Sequence, residues 1–183
     1  GGFELKVSVV SPVFMAEGLI RPLVERLHRV LEATYPDFEI ILVDDGSTDA
    51  SWAEVLQAQQ DNPRVMPVRL SRNFGQHVAI TAGLDFSAGD LIVVMDCDLQ
   101  DRPEEVPRLI AALQTAECCD CVIALRTQRK DGFFKRIGSR LFYALLNLFT
   151  GMQLDYRAAN FGAYSRRMIN AIQCLREPDR SFP

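Results

Sequence analysis

Five apolar stretches along the chain have the length and composition of β-strands. They are continuous rather than alternating, and a continuous apolar run is typical of a strand that is covered on both faces. The predicted strands cover residues 5–14, 39–44, 64–70, 91–96 and 121–125. The pattern therefore indicates a central sheet with other elements packed on both sides.

Helical patterns lie between the predicted strands. Residues 17–34 carry apolar side chains at spacings of three and four, which form the stripe of an amphipathic helix. Further helices are predicted over residues 51–60, 76–87 and 103–113. Asp49 and Asp101 are the predicted caps of the second and fourth helices. Because strand and helix alternate four times, the sequence predicts an α/β fold with a mostly parallel sheet and helices on both faces.

The alternation of strand and helix ends after residue 125. Residues 126–140 contain six basic residues and one acidic residue, a net charge of +5 in a chain whose net charge is −4. An apolar helix is predicted over residues 141–149. The wider segment, residues 133–150, has the composition of a helix at a membrane surface. A core helix packed on the sheet edge explains the same composition equally well. A length of 183 residues predicts one domain over residues 1–183.

Composition and charge exclude several classes of protein. With 48% hydrophobic and 24% charged residues, the chain has the composition of a folded globular protein. A net charge of −4 disfavours nucleic acid as a partner. The five cysteines are odd in number and fit no disulfide framework, and no secretory signal opens the chain, so we expect a reducing, cytoplasmic compartment.

Two acidic residues follow directly on the fourth predicted strand. Asp96 and Asp98 are two positions apart, so in extended backbone their side chains lie on one side of the strand. Two carboxylates that face one point repel each other unless a cation lies between them or one is protonated. Oxygen ligands suit Mg²⁺ or Mn²⁺, and Gln100 offers a third ligand. The alternative is a pair of solvated turn acids, which the apolar run before them disfavours.

The second predicted strand also ends in acids, Asp44 and Asp45. Ligands of open parallel sheets bind beyond the carboxyl ends of the strands, so these side chains are candidates to contact a base or a ribose. Gly46 and Asp49 have turn and cap roles in the same segment. The chain lacks the glycine-rich motifs that hold phosphates. A metal that bridges a diphosphate would take over that task.

Four segments together resemble a known family. Residues 8–14, 43–49, 73–76 and 95–101, in this order and spacing, resemble the family 2 glycosyltransferases of GT-A fold. The most similar branch is that of the enzymes like dolichol-phosphate-mannose synthase and bactoprenol glucosyltransferase. The resemblance runs from about residue 7 to residue 168.

The resemblance implies roles for individual residues. The nucleotide-binding residues are Pro12, Phe14, Glu17, Asp44, Asp45 and Asp96, and the metal ligands are Asp96, Asp98 and Gln100. The acceptor-phosphate residues are Lys135, Arg136 and Ser139. Arg126 follows the fifth strand, where the family places a phosphate contact, and it joins Asp98 in the predicted catalytic set.

This sequence departs from the family pattern at two places. Met15 stands where the family usually has Asn. Asn160 begins an Asn-Phe-Gly triplet where the branch often has Asp-Phe-Arg, so an acid is missing near the acceptor. Asp155 is the nearest acid, and we include it in the predicted catalytic set as the replacement.

The missing acid bears on the nature of the acceptor. A sugar hydroxyl needs a general base, whereas a lipid phosphate is already an anion at pH 7 and needs positive charge nearby. Residues 126–140 supply that charge, so the sequence predicts a metal-dependent, inverting transfer from a UDP- or GDP-sugar to a polyprenyl phosphate. The alternatives are transfer to a sugar hydroxyl, as in cell-wall, capsule or lipopolysaccharide assembly, and a nucleotide-binding module without turnover.

Members of this branch usually continue into membrane helices. We therefore expect the protein to work at the cytoplasmic face of the membrane, and we expect C-terminal membrane helices to have been removed from this chain.

Overall fold

The computed structural model describes residues 5–115, 119–125 and 158–174, and a six-stranded sheet lies at its centre. The strands are β1 (Val7–Val13), β2 (Phe38–Asp44), β3 (Val65–Arg69), β4 (Leu91–Val94), β5 (Cys121–Leu125) and β6 (Ala158–Ser165). The helices are α1 (Ile20–Glu32), α2 (Ser51–Asp61), α3 (Gln76–Phe86), α4 (Val106–Thr115) and α5 (Arg166–Cys174), and a 3₁₀ turn (Pro103–Glu105) precedes α4. Each element predicted within these residues is present, with its ends moved by a few residues.

The strands lie in the order β3-β2-β1-β4-β6-β5. β1 pairs in parallel with β2 and with β4, and β2 pairs in parallel with β3. β6 is antiparallel to both of its neighbours, β4 and β5. The predicted mostly parallel sheet is therefore confirmed, and the structure adds a strand that separates β5 from β4.

Sequence patterns did not predict β6 or α5. β6 reads Ala-Ala-Asn-Phe-Gly-Ala-Tyr-Ser, in which small residues dominate and β-branched residues are absent. Such a segment has a low intrinsic preference for a strand. It is a strand here because β4 and β5 flank it and supply its hydrogen-bond partners.

Helices cover both faces of the sheet, as predicted. Successive residues of β1 point to opposite faces, so Val9 joins one apolar cluster and Val10 the other. The first cluster includes Leu27 of α1 and Ile110 of α4. The second includes Ile169 of α5, with residues of α3. The parallel strands are thus buried from both sides, which explains their continuous apolar sequences.

Residues 126–157 lie outside the part of the chain that the structure describes. The predicted surface helix at 133–150 falls in this range, as do Arg126, Lys135, Arg136, Ser139 and Asp155. Within residues 5–115, 119–125 and 158–174, no helix combines the length and apolar character needed to cross a bilayer.

Candidate active site

A cleft of about 310 Å³ opens at the carboxyl ends of the parallel strands. The register pairs Val13 of β1 with Asp44 of β2, and Val10 of β1 with Val94 of β4, so these three strand ends lie side by side. The cleft is lined by the end of β1, the loop before α3 and the turn after β4. Of the predicted site residues, those that line it are Pro12, Phe14, Asp45, Asp96 and Asp98.

The structure brings the two acids of the turn after β4 to this cleft. Asp96 is half-buried and Asp98 is exposed, and both line the cavity. Asp98 Oδ1 accepts a hydrogen bond of 2.9 Å from the Gln100 N–H. Cys97, between the two acids, packs against the apolar core, and burial raises the pKa of its thiol to about 11. Both acids therefore line the same cavity, although they follow the end of β4 rather than lying within the strand.

The donor set of this cleft suits a hard divalent cation. Asp96 and Asp98 offer carboxylate oxygens on one cavity. No group of three or more His, Cys, Asp or Glu side chains with metal-binding geometry occurs within the described residues. Mg²⁺ is commonly held by one or two carboxylates, with phosphate oxygens and water completing the octahedron, so two acids suffice when a diphosphate binds as well. Gln100 is exposed and does not line the cleft.

Asp45 holds the loop that forms one wall of the cleft. Its side chain is only 2% exposed. Oδ1 accepts a hydrogen bond of 2.8 Å from the Phe74 N–H, and Oδ2 accepts one of 2.9 Å from the Gly75 N–H. Both carboxylate oxygens are therefore engaged with the backbone before α3. This role was not predicted, because the sequence does not show which residues meet across the strand ends.

Asp44 is buried behind the cleft rather than in its lining. Its side chain is inaccessible to solvent, and Oδ2 lies 3.2 Å from Nε of Arg69. Oδ1 accepts a hydrogen bond of 3.3 Å from the Ser47 N–H. The Arg69 guanidinium also lies 5.1 Å from the ring centroid of Trp52, at cation–π distance. Sequence reasoning missed Arg69, although it is the last residue of β3 and the register partner of Asp44.

Glu17 faces the start of α2 and does not line the cleft. Its N–H donates to Asp49 Oδ2 at 3.2 Å, and its Oε2 accepts a hydrogen bond of 3.3 Å from the Ala50 N–H. Asp49 also accepts hydrogen bonds from the Ser51 hydroxyl and N–H, and the hydroxyl bond in particular lowers the pKa of Asp49. The predicted cap was thus one residue off: the N-cap of α2 is Ala50, and Asp49, just before it, bonds the N–H of the first helical residue, Ser51. α1 begins at Ile20 rather than at residue 17 because Gly18 has a left-handed backbone, with φ at +80°, which a right-handed helix does not accommodate.

Met15 has a left-handed backbone, with φ at +49°. Its N–H donates to Ser47 Oγ at 3.1 Å, and its side chain is half exposed. Asn is among the few non-glycine residues that adopt this conformation readily. The Asn that the resemblance associates with this position thus fits the backbone better than Met does.

Phe14 follows β1 and lines the cleft together with the acidic turn. It is 50% exposed there. An exposed aromatic side chain at this edge offers a flat apolar surface to a ligand.

A larger groove of about 970 Å³ lies between α1 and α2. Gly18, His28 and Asp61 are among its lining residues, and none of the predicted site residues is. The larger cavity is therefore not the one that holds the acids. We place the candidate site in the smaller cleft because Asp96 and Asp98 line it at the carboxyl ends of the strands.

This chain is similar to known proteins over nearly its whole length. The profile described as Glycosyl transferase family 2 matches residues 8–172. A curated relative, the undecaprenyl-phosphate 4-deoxy-4-formamido-L-arabinose transferase of Pseudomonas paraeruginosa, is 40% identical over 179 residues. That alignment covers 97% of this chain and 52% of the relative, so the chain spans about half the relative's length.

Solved structures share the fold at low sequence identity. A mannosyltransferase from Pyrobaculum calidifontis, solved with GDP-Man and Mn²⁺, has a TM-score of 0.65 at 16% identity. The superposition covers 93% of this chain and 47% of the mannosyltransferase chain. Glucosyl-3-phosphoglycerate synthase from Mycobacterium tuberculosis, solved with Mn²⁺, UDP-glucose and phosphoglyceric acid, has a TM-score of 0.67 at 23% identity, covering 90% and 57%. These neighbours have the GT-A fold, so the predicted fold is confirmed. Because the family profile covers most of its length, this chain belongs to glycosyl transferase family 2.

Proposed function

We propose that this chain transfers a sugar from a nucleotide-diphosphate sugar to a polyprenyl phosphate, with a divalent cation in the cleft. The observation that carries the proposal is the pair Asp96 and Asp98 on one cavity at the strand ends of a family 2 chain. The name of the 40% identical relative supports a polyprenyl phosphate acceptor. The nucleotide sugars and Mn²⁺ found with two structural neighbours support the donor class and the cation.

The nucleotide part of the donor is proposed to lie along the end of β1 and the end of β2. Pro12, Phe14, Asp45 and Asp96 line the cleft there and are the proposed contacts. The proposed set also includes two residues outside the lining. They are Asp44, which is fully buried beside Arg69, and Glu17, which bonds the start of α2.

Asp96 and Asp98 are the proposed cation ligands. Gln100 follows in the same turn but does not line the cleft, so it would serve as the proposed third ligand only after its side chain turned toward the cation. Bound there, Mg²⁺ or Mn²⁺ would neutralise the donor diphosphate and assist its departure as a Lewis acid. The two carboxylates contribute the negative charge that makes a divalent ion favourable at this place. Asp98 is the more exposed member of the pair.

In the proposed reaction, a phosphate oxygen of the acceptor attacks the anomeric carbon of the sugar. The bond from that carbon to the diphosphate oxygen breaks, and the nucleoside diphosphate leaves with the electron pair. Attack from the opposite face inverts the anomeric configuration. Since the acceptor phosphate is already an anion, this step needs cationic groups more than a strong base.

The acceptor side of the site rests on the sequence. Lys135, Arg136 and Ser139 are the proposed phosphate contacts, with Arg126 on the diphosphate and Asp155 as the acid of the acceptor side. Their segment carries a net charge of +5 over residues 126–140. We propose that residues 133–150 lie at the cytoplasmic surface of the membrane, where the lipid acceptor is found.

Transfer assays with defined donors and acceptors test the proposal. The UDP and GDP derivatives of glucose, mannose and 4-deoxy-4-formamido-L-arabinose are offered with undecaprenyl phosphate or with a soluble sugar, in Mn²⁺, Mg²⁺ or EDTA. We expect transfer to the lipid phosphate that EDTA abolishes. Transfer only to the soluble sugar would contradict the proposed polyprenyl phosphate acceptor. Nucleotide binding without sugar transfer or donor hydrolysis would contradict the proposal that the chain is an enzyme.

Two sets of variants sharpen the assay. Asp98→Ala should lower the transfer rate about 100-fold or more, because it removes a group that holds the charge-stabilising cation. Asp61→Ala, an exposed acid at the end of α2, is the matched control and should keep the wild-type rate. Lys135→Ala combined with Arg136→Ala should weaken the use of the lipid acceptor more than it weakens nucleotide binding.

A further inference from the structure

Gln76 makes a direct contact with one of the proposed cation ligands. Its side-chain Nε2 donates a hydrogen bond to Asp96 Oδ1 at 2.5 Å, across 20 residues of sequence. Both side chains line the cleft. Because an ionised carboxylate can only accept, the nitrogen of the amide must face Asp96. This hydrogen bond fixes the direction in which one Asp96 oxygen points.

The backbone position of Gln76 is itself set by buried groups. Gln76 is the first residue of α3, and Gly75 before it has φ at +97°. The two hydrogen bonds of the buried Asp45 carboxylate hold the Phe74 and Gly75 N–H groups. At the other end of the helix, a Cβ on Gly83 would lie 2.4 Å from Val10 Cγ1, so α3 packs closely on the sheet. Gln76 therefore extends from a rigid support, not from a free loop.

The neutral charge of the donor matters at this place. A lysine or arginine beside Asp96 would also orient the carboxylate, but it would cancel the negative charge that attracts a divalent ion. An amide orients the same oxygen and leaves the combined charge of Asp96 and Asp98 unchanged. Groups that orient metal ligands from behind commonly change metal affinity about 10- to 100-fold when removed.

We propose that Gln76 is a positioning residue for the cation site, which orients Asp96 through its side-chain amide and is itself placed by Asp45 through the loop before α3. The inference rests on the proposed function, since it needs a cation at Asp96. It assigns to the segment at residues 73–76 a task beyond forming the wall of the cleft.

The test measures Mn²⁺ binding directly rather than activity. Mn²⁺ is titrated into the 183-residue chain and its free fraction is followed by electron paramagnetic resonance, with whichever of UDP or GDP the wild type binds more tightly. We expect Gln76→Met, which keeps the length and removes the donor, to weaken Mn²⁺ binding about 10-fold or more. We expect Gln76→Lys, which adds a positive charge beside Asp96, to weaken it further.

The chain offers a matched control for this substitution. Gln57 on α2 donates from Nε2 to Asp61 Oδ1 at 3.0 Å, also on the surface but outside the cleft. Gln57→Met should leave Mn²⁺ binding at the wild-type value. Gln76 is exposed, so Gln76→Met should melt within about 2 °C of the wild type when Mn²⁺ is absent.

The outcomes separate this inference from the proposed function. Wild-type Mn²⁺ affinity in Gln76→Met or Gln76→Lys overturns the inference and leaves the proposed function intact. An equal loss in Gln57→Met also overturns it, because the effect would not be local. If the wild type binds no Mn²⁺ with either nucleotide, the proposed function fails, and the inference fails with it.

Discussion

Arg69 Nε lies 3.2 Å from Oδ2 of Asp44, and the two residues are register partners on adjacent parallel strands. The side chain of Asp44 is inaccessible to solvent, whereas that of Arg69 is 46% exposed. The carboxylate of Asp44 is thus compensated by a cation that reaches in from the surface. A buried carboxylate deprived of its counter-charge is costly, so this pair matters to the fold even though it stands behind the cleft.

Replacing Arg69 should destabilise the protein. Loss of one partner of a fully buried ion pair costs about 3–5 kcal/mol, and because Arg69 is half exposed we expect Arg69→Met to cost about 2 kcal/mol. Urea unfolding at pH 7 measures the difference. Arg21→Met removes the exposed partner of Glu25 and should leave the urea midpoint close to that of the wild type, because exposed ion pairs contribute little to stability. Equal effects of the two variants would contradict the role given to Asp44.

Gly46 is predicted to tolerate no side chain. Its φ is +71°, and a Cβ there would lie 2.5 Å from the Arg72 carbonyl carbon and 2.6 Å from the Asn73 nitrogen. We expect Gly46→Ala to cost about 3 kcal/mol or more, since backbone strain and overpacking add. Gly18→Ala, at φ +80° with open space around it, should cost only about 1 kcal/mol. Thermal unfolding of the two variants separates the effects, because Gly46→Ala adds steric crowding to backbone strain whereas Gly18→Ala adds strain alone. Similar losses of stability in the two variants would contradict the close backbone contact at Gly46.

Met15→Asn should stabilise the protein slightly. The backbone at Met15 is left-handed and its side chain is half exposed, so Asn relieves strain and loses little packing, for a gain of about 0.5 kcal/mol. Leu99 has a similar φ of +60°, but its side chain packs against the core. Leu99→Asn should therefore destabilise. Chemical unfolding of Met15→Asn and Leu99→Asn measures the two effects. If both variants are less stable than the wild type, the proposed backbone strain at Met15 is contradicted.

The stability of the protein in acid should depend on Glu39, a nearly buried carboxylate near the start of β2, at the end of the strands away from the cleft. Burial alone would raise its pKa, but hydrogen bonds from Lys6, Ser8 and the Ala88 N–H outweigh burial, and the pKa is lowered from its usual 4.5. A lowered pKa in the folded state means that ionised Glu39 stabilises the fold above about pH 4.5. That stabilisation is lost as the pH falls through the lower folded-state pKa.

Urea unfolding at pH 7 and at pH 3 tests this dependence. Glu39→Gln should be less stable than the wild type at pH 7, because the ion pair with Lys6 is lost. This variant should then lose less stability than the wild type on acidification, because the amide that replaces the carboxylate does not take up the proton. Glu25→Gln, on the exposed surface of α1, should follow the wild-type pH dependence. A Glu39→Gln profile parallel to that of the wild type would contradict the prediction.

The sequence by itself determined the elements whose signal is local. Continuous apolar runs predicted β1 to β5. The helical spacing of apolar residues predicted α1, and cap and turn residues marked boundaries of α2 to α4. The spacing of Asp96 and Asp98 predicted that both carboxylates lie on one side, because side-chain direction in extended backbone has a period of two. Four segments in order were enough to indicate the family, which the profile match then established.

Only the tertiary structure decided which residues meet at the strand ends. The contacts of Asp44 with Arg69, of Asp45 with the loop before α3, and of Gln76 with Asp96 each join residues 20 or more positions apart. Such pairs depend on the order and register of strands, which local periodicity does not encode. For the same reason β6 was not predicted: its small residues carry little strand preference, and its place comes from β4 and β5 on either side.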